Sequence, residues 1–371
     1  MPAAEFPRGS ASGDRAIADA IGRWFAQNMR VLPWRLEPRD PWLSLMSEIL
    51  LQQTQVARVA ERFGAFAEQF PTPAAMAARP IDDVLKLWSG LGYYRRARLL
   101  HACAQAIVER HGGRVPDNAE ELRALPGLGR YTAGAVAAIA FKRREALVDG
   151  NVSRVLLRVH GVDRAVDGPG VQPWAWERAE DLASAATDVA RYSEGIMELG
   201  ATVCTPKAPR CDACPVHSRC RARTNGLVDR IPRPKSRPER TPLAITAVVV
   251  VDAKERVLLE RRPDKGLWSG LWQPPCVERD AAAPLSLAKS LERLGMDSAV
   301  RVGGGSTVFD FATTHRAVRV RVWRARAESA ARARGARGRG AKWMEPGEIG
   351  EIGLGSAQRR MLLAAGLAGR G

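Results

Sequence analysis

The chain has 371 residues, which at about 150 residues per domain is enough for two domains with a sizeable core in each and excludes a small disulfide-stapled scaffold. Lysine and arginine number 57 against 40 acidic residues, and the resulting charge of +17 points to a polyanionic partner, nucleic acid first. At 46% hydrophobic and 26% charged the composition is that of a folded protein, and the longest apolar runs, 132–141 and 243–251, fall well short of a membrane span.

Taken in chain order, residues 1–14 (beginning MPAAEFPRGS) show no apolar secretory segment and are expected to be flexible, with the protein in a reducing, cytoplasmic compartment. Residues 15–220 read as a helical domain. Ile17, Ile21, Trp24 and Phe25 share one helical face, and Leu45, Ile49, Val56, Val59 and Phe63 another, with prolines 33, 38, 41, 71, 73, 80 and 116 marking the loops. Helical spacing returns at 151–160 and 174–199. The stretch 221–241 is basic and Pro-rich (IPRPKSRPER) and reads as an extended linker. Beyond it, 245–251, 257–260 and the alternating VRVRVW of 318–323 predict strands, while 288–294 and 357–367 predict helices, so residues 242–371 form an α+β domain. Within it the Ala/Arg/Gly tract 324–340 reads as a basic mobile loop.

Two motifs carry chemistry by their own residues. In LPGLGRYTAGAV, 125–136, Gly127 and Gly129 permit a tight turn that brings backbone N–H groups against a phosphate at a helix N-terminus, as in a helix-hairpin-helix. Cys204, Cys211, Cys214 and Cys220 are separated by six, two and five residues, a spacing that suits a [4Fe-4S] cluster; a structural zinc site, normally built from two C-x-x-C pairs, is the alternative. Lys207 and Arg210 lie between the first two cysteines and are candidate phosphate contacts. Cys103 and Cys276 are left as structural thiols.

In order along the chain, PWR (33–35), SEILLQQTQV (47–56), GLGYYRRAR (90–98), LPGLGRYTAG (125–134), VDGNVSRV (148–155), ELGATVCTP (198–206) and GLWSGLWQPP (266–275) resemble the MutY-type adenine DNA glycosylases of the endonuclease III superfamily, from about residue 17 to 363. The resemblance implies an all-α helix-hairpin-helix glycosylase domain with a [4Fe-4S] loop at 204–220, followed by a Nudix-like domain that reads the lesion. It implies a monofunctional, hydrolytic enzyme, taken as a monomer, that removes adenine opposite 8-oxoguanine or G in duplex DNA.

Residue by residue, Glu48, which alone reads as a solvated or salt-bridged helix residue, matches the catalytic glutamate; an acid buried among apolar neighbours keeps a proton for the leaving base. Asp149, by pattern a helix cap or Asp-Gly turn, matches the aspartate that faces the sugar and stabilises or traps its oxocarbenium-like form, with Asn151 holding it. Tyr131 stands where strand-cutting relatives carry a Schiff-base lysine, and a phenol cannot do that chemistry. Gln53 and Tyr93 match residues that wedge into the duplex, though Tyr93 also fits a core aromatic. Glu194 matches an acid that contacts the flipped adenine, or is a helix-surface acid.

Thr314 and His315 match a Phe-Ser-His loop that probes 8-oxoguanine, with Thr313 in place of the aromatic; a surface histidine at a strand end is the plainer account. The acid-rich Nudix hydrolase signature is missing, only LERLG (291–295) remaining, so this domain is expected to bind rather than hydrolyse. The competing classes are an endonuclease III-like pyrimidine glycosylase and lyase, which wants lysine at 131 and no C-terminal domain, a noncatalytic DNA-binding redox sensor, which does not need Glu48 with Asp149, and a Nudix hydrolase, which needs the missing acids.

Overall fold

The computed structural model describes residues 6–234, 239–263, 266–313, 315–330 and 340–367. The chain divides into two units, one built from residues 1–79 and 99–236, the other from 80–98 and 237–371. No described helix is long and apolar enough to cross a membrane.

The first unit is helical. Helix α1 (Ala11–Asn28) starts at Ser10, whose hydroxyl accepts the Gly13 N–H, and buries Ile17, Ile21 and Phe25. Helix α2 (Pro41–Leu51) has proline at its first position and is capped by Asp40, which accepts the Leu43 N–H at 2.8 Å, so Pro41 opens a helix as readily as it closes the loop before it. Nearly every α2 side chain is buried, including Leu45, Met46, Ile49 and Leu50. Helix α3 (Val56–Gln69) follows, with Val59, Phe63 and Phe66 inward. Helices α4 (Pro73–Ala77), α5 (Ile81–Leu87) and α6 (Arg95–His111) lead to α7 (Ala119–Arg123) and α8 (Arg130–Phe141).

Gly127, between α7 and α8, has φ +82° with Leu99 packed where a Cβ would sit, so only glycine makes this turn. Gly134, inside α8, faces the carbonyl of Ala146, which brings α8 into backbone contact with the irregular segment that leads to Asp149. Helices α9 (Gly150–His160), α10 (Val171–Ala185) and α11 (Val189–Thr202) complete the core, α1 packing on α10 and α11.

Residues 221–234 are not an extended linker. Arg221–Thr224 forms helix α12, Ala222 and Ile231 are fully buried, and the Arg158 guanidinium donates to the Ile231 carbonyl at 2.7 Å. Arg233 pairs with Asp163 at 2.9 Å. Two apolar anchors and a buried arginine thus outweigh the basic, proline-rich composition that favours extension.

The second unit holds a mixed eight-stranded sheet: β1 (Thr241–Val251), β2 (Val257–Arg261), β3 (Trp272–Gln273), β4 (Cys276–Arg279), β5 (Val300–Val302), β6 (Thr307–Ala312), β7 (Arg316–Ala327) and β8 (Ala341–Met344). β1 and β7 run parallel in register from Thr241↔Arg316 to Val251↔Arg326. β1 is buried on both faces from Leu243 onward, which explains its unbroken apolar run. One face packs Ile245, Val249 and Val320 under α14 (Ser356–Ala364), and the other packs Val248 and Val250 with α13 (Leu287–Leu294). The tract at 324–340 begins as strand, because 324–327 continue β7; its residues 331–339 lie outside the described ones.

The segment 80–98 belongs to this second unit. Gly90 (φ +90°) and Gly92 (φ +73°) let GLGYY wrap the fully buried Trp88, whose indole N–H donates to the Gly92 carbonyl at 2.9 Å. Arg96 stacks over the same indole, Tyr94 donates to the Leu354 carbonyl at 2.8 Å, and Arg359 donates to Ser89 Oγ at 2.7 Å.

Candidate active site and cysteine cluster

The first unit contains a cavity of about 240 Å³ into which Glu48, Tyr131, Asp149, Asn151 and Glu194 all project. Glu48 is carried there by α2. Leu45 and Ile49 flank it, and burying such a side chain contributes about 1.5–3 kcal/mol, so the helix stays buried with the carboxyl in it. Burial raises the Glu48 carboxyl to about 7; the Tyr131 hydroxyl hydrogen-bonds it and works the other way, as does the Arg35 charge, while the Asp149 and Glu194 charges push it further up. Tyr131, in the first turn of α8, also lies 3.0 Å from Met197 Sδ, and burial beside two carboxylates holds its phenol well above the ordinary range.

Asp149 is both a cap and a cavity wall. Oδ1 accepts the Val152 N–H at 2.7 Å, starting α9, and Oδ2 accepts from Asn151 Nδ2 at 3.2 Å. Asn151 is fixed in turn by Arg154, which donates to Asn151 Oδ1 at 2.9 Å and to the carbonyls of Gly200 and Cys204.

Glu194 is no surface acid: it is buried on α11, accepting from Arg35 at 3.0 Å and Arg39 at 2.6 Å. Burial keeps its carboxyl above the ordinary value in spite of both arginines. The sequence reading missed the rest of this wall. Arg30, Arg35 and Arg39 converge from the loop 29–39 onto Glu194 and Glu198, and only PWR hinted at one of them.

Gln53 and Tyr93 are exposed at left-handed backbone positions, φ +55° and +48°, each a conformation that costs a non-glycine residue about 1 kcal/mol or more. At 52% exposure Tyr93 is not a core aromatic; Arg96 lies against its ring. Gly129 opens α8 with no side-chain cap and empty space where a Cβ would stand, which leaves the first N–H groups of α8 approachable. Lys207 is exposed, and Arg210, also exposed, folds back to donate to the Thr202 carbonyl at 2.9 Å.

In the second unit His315 is exposed in the β6–β7 turn, its carbonyl accepting the Thr241 N–H at 3.1 Å. The Thr313 hydroxyl is occupied inside that turn, accepting the Arg316 N–H at 3.0 Å. Thr314 lies outside the described residues.

Cys204, Cys211, Cys214 and Cys220 line one small pocket, and Cys204 raises the proton affinity of the other three thiols on top of their burial. Among the described residues no three His, Cys, Asp or Glu side chains converge on a single-ion centre. Four thiols lining one pocket supply the donor set of a [4Fe-4S] cluster, in which each thiolate takes a different iron.

A glycine hairpin leading into the helix of Tyr131, a cavity lined by Glu48 and Asp149, and a cysteine loop further along the chain are the features of the helix-hairpin-helix class, and the pattern of the HhH-GPD superfamily of base excision DNA repair proteins matches residues 46–171. A NUDIX domain pattern matches residues 246–364. The chain belongs to the adenine DNA glycosylase family: it is 43% identical over 212 residues to that of Mycobacterium tuberculosis (strain ATCC 25618 / H37Rv), covering 57% of this chain and 69% of the relative. It is 36% identical over 332 residues to the human adenine DNA glycosylase, covering 75% of this chain and 60% of that protein, so it spans about three fifths of the mammalian relatives it matches. A thermostable thymine-DNA glycosylase structure is similar at a TM-score of 0.51 and 28% identity, over 58% of this chain and all of that one.

The cysteine pocket and the raised carboxyl generate two expectations. Purified protein should carry about four irons per chain with visible thiolate-to-iron absorption; stoichiometric zinc in colourless protein would contradict the cluster. The Glu48 carboxyl rises from 4.5 in the unfolded chain to about 7 in the fold, so its ionisation opposes folding increasingly as pH rises between those values. Glu48→Gln should therefore stabilise the protein by up to ~3 kcal/mol above pH 7 and by almost nothing below pH 4.5, as read from denaturant unfolding.

Proposed function

We propose that the chain is a monofunctional adenine DNA N-glycosylase that removes adenine opposite 8-oxoguanine or G from duplex DNA, and the observation that carries this is that Glu48, a buried carboxyl raised to about 7, lines one cavity together with Asp149. An adenine flipped into the cavity receives the Glu48 proton on a ring nitrogen as the bond from C1′ to the base breaks, the electron pair leaving with the base. The cationic sugar that remains is stabilised, or briefly trapped, by the Asp149 carboxylate, whose Oδ2 is held by Asn151. Water adds at C1′, its proton returning to Glu48. Tyr131 orients Glu48 by its hydroxyl and offers no amine, so the strand is left uncut.

DNA would be held by the N–H groups at Gly127 and Gly129 and by Lys207 and Arg210, while Gln53 and Tyr93, on their strained and exposed turns, would fill the gap left by the flipped base. Cys204, Cys211, Cys214 and Cys220 would hold a [4Fe-4S] cluster that braces the loop carrying Lys207 and Arg210. Glu194, already satisfied by Arg35 and Arg39, would present that ion-paired wall to the base. His315 would read the lesion from its exposed turn.

Three experiments test this. Duplexes with A opposite 8-oxoguanine, G, C or T should lose adenine opposite the first two, with strand breaks only after alkali. Because Glu48 acts in its acid form, the single-turnover rate should fall as pH rises through about 7, and Glu48→Gln should bind the mispair but lose excision; near-wild-type excision by that variant would remove Glu48 from the mechanism. Separately, His315→Ala should lower the preference for A opposite 8-oxoguanine over A opposite G while leaving the slower A:G rate nearly unchanged; equal losses on both duplexes would place His315 in stability rather than lesion reading.

A further inference from the structure

Charge around Glu48 comes from few groups. Its own helix α2 carries no other ionisable side chain; Tyr131 faces it from α8, Asp149 from the start of α9, Glu194 from α11 and Arg35 from the loop 29–39. Arg35 is the one cation among them, and every nitrogen of its guanidinium is engaged away from Glu48. Nε donates to Glu194 Oε1 at 3.0 Å, Nη1 to the Arg30 carbonyl at 3.1 Å and Nη2 to Glu198 Oε2 at 3.0 Å, with the Phe25 ring 5.0 Å from its centre.

Glu198 organises this arrangement from one turn further along α11. Its side chain is 1% exposed, and it accepts from Arg30 Nε at 2.6 Å, Arg30 Nη2 at 2.9 Å and the Arg30 backbone N–H at 3.3 Å in addition to Arg35. A single buried carboxylate therefore fixes both the course of the loop at Arg30 and the orientation of Arg35. Burial opposes its charge, yet the Arg30 and Arg35 hydrogen bonds hold it below the ordinary carboxylate range, so it stays ionised.

We propose that Glu198 is a positioning residue for the general acid: by anchoring Arg30 and Arg35 it neutralises the Arg35 charge and keeps that cation off Glu48, so that Glu48 retains its proton for the leaving base. The proposal rests on the assignment of Glu48 as the acid. Without the Glu198 charge, Arg30, Arg35 and Arg39 keep only the buried Glu194 and, at Arg39, the solvent-screened Glu37 as anionic partners, and the surplus positive field favours ionised Glu48.

The test is the pH profile of single-turnover adenine release on an A:8-oxoguanine duplex. Glu198→Gln should move the alkaline limb down by about one pH unit, a tenfold loss on that limb, while the low-pH plateau stays within about twofold of wild type. Adding Arg30→Gln to it removes the surplus charge and should move the limb back. Arg30→Gln alone, at a part-exposed position, avoids emptying a buried carboxylate site; it leaves Glu198 to Arg35 and should move the limb upward. An equal loss at every pH in Glu198→Gln, or an unmoved limb in Arg30→Gln, overturns the proposal and leaves Glu48 as the acid. Excision by Glu48→Gln would instead overturn the assignment beneath it.

Discussion

A carboxyl group taken out of water resists ionisation, and the helical unit is organised around holding one in that condition. Glu48 is drawn inward because its helix has apolar side chains on every side, and the free energy gained by burying Leu45, Met46, Ile49 and Leu50 exceeds the cost of one neutral carboxyl. The neighbouring charges then have to be arranged so that none reverses this. Asp149 and Glu194 reinforce the protonated state, and Arg35, the cation that opposes it, is tied to other anions. Two carboxylates of the same chemical type, Glu48 and Glu198, thereby take opposite protonation preferences in one cavity, the first from desolvation and the second from a pair of guanidinium groups.

The same wall limits the shape of the cavity. Ion pairs to Arg30, Arg35 and Arg39 lay the loop 29–39 against α11, and Gly134 and Gly200 bring backbone close on the opposite sides, Gly200 packing against Asn151 in the first turn of α9. The helices that carry Tyr131 and Asn151 are thus held in part by close backbone packing, which is the kind of support a reaction sensitive to sub-ångström placement requires.

Much of this was legible in the sequence, for identifiable reasons. Helix α2 announces itself through the helical spacing of Leu45 and Ile49, although Pro41, which reads as a loop marker, in fact opens it; α9 is signalled by Asp149 and the hairpin by Gly127, because caps and left-handed turns are local. The cysteines were visible by spacing. What stayed hidden is what local pattern cannot encode. Arg30 and Glu198 meet across 168 residues and look like surface charges one at a time. The short strands β4, β5 and β8, three or four residues each, take their conformation from their neighbours in the sheet rather than from an alternation of their own. Segment 221–234 has the composition of a linker and the burial of a core element, because Ile231 and Ala222 decide its course and its arginines find carboxylates and carbonyls.

The wrapping of GLGYY around Trp88 bears on how the molecule can be dissected. A fragment ending near residue 236 would keep every side chain of the cavity but discard Leu354 and Arg359, the partners of Tyr94 and Ser89. Trp88, fully buried in the intact chain, would lose part of the body of protein to which its segment belongs, and the exposed ring of Tyr93 rides on that same turn. Truncation would thus loosen a stretch of the amino-terminal half of the sequence far from the cut, so that weakened DNA handling in such a fragment would report on the lost scaffold of residues 80–98 as much as on the missing carboxy-terminal surface.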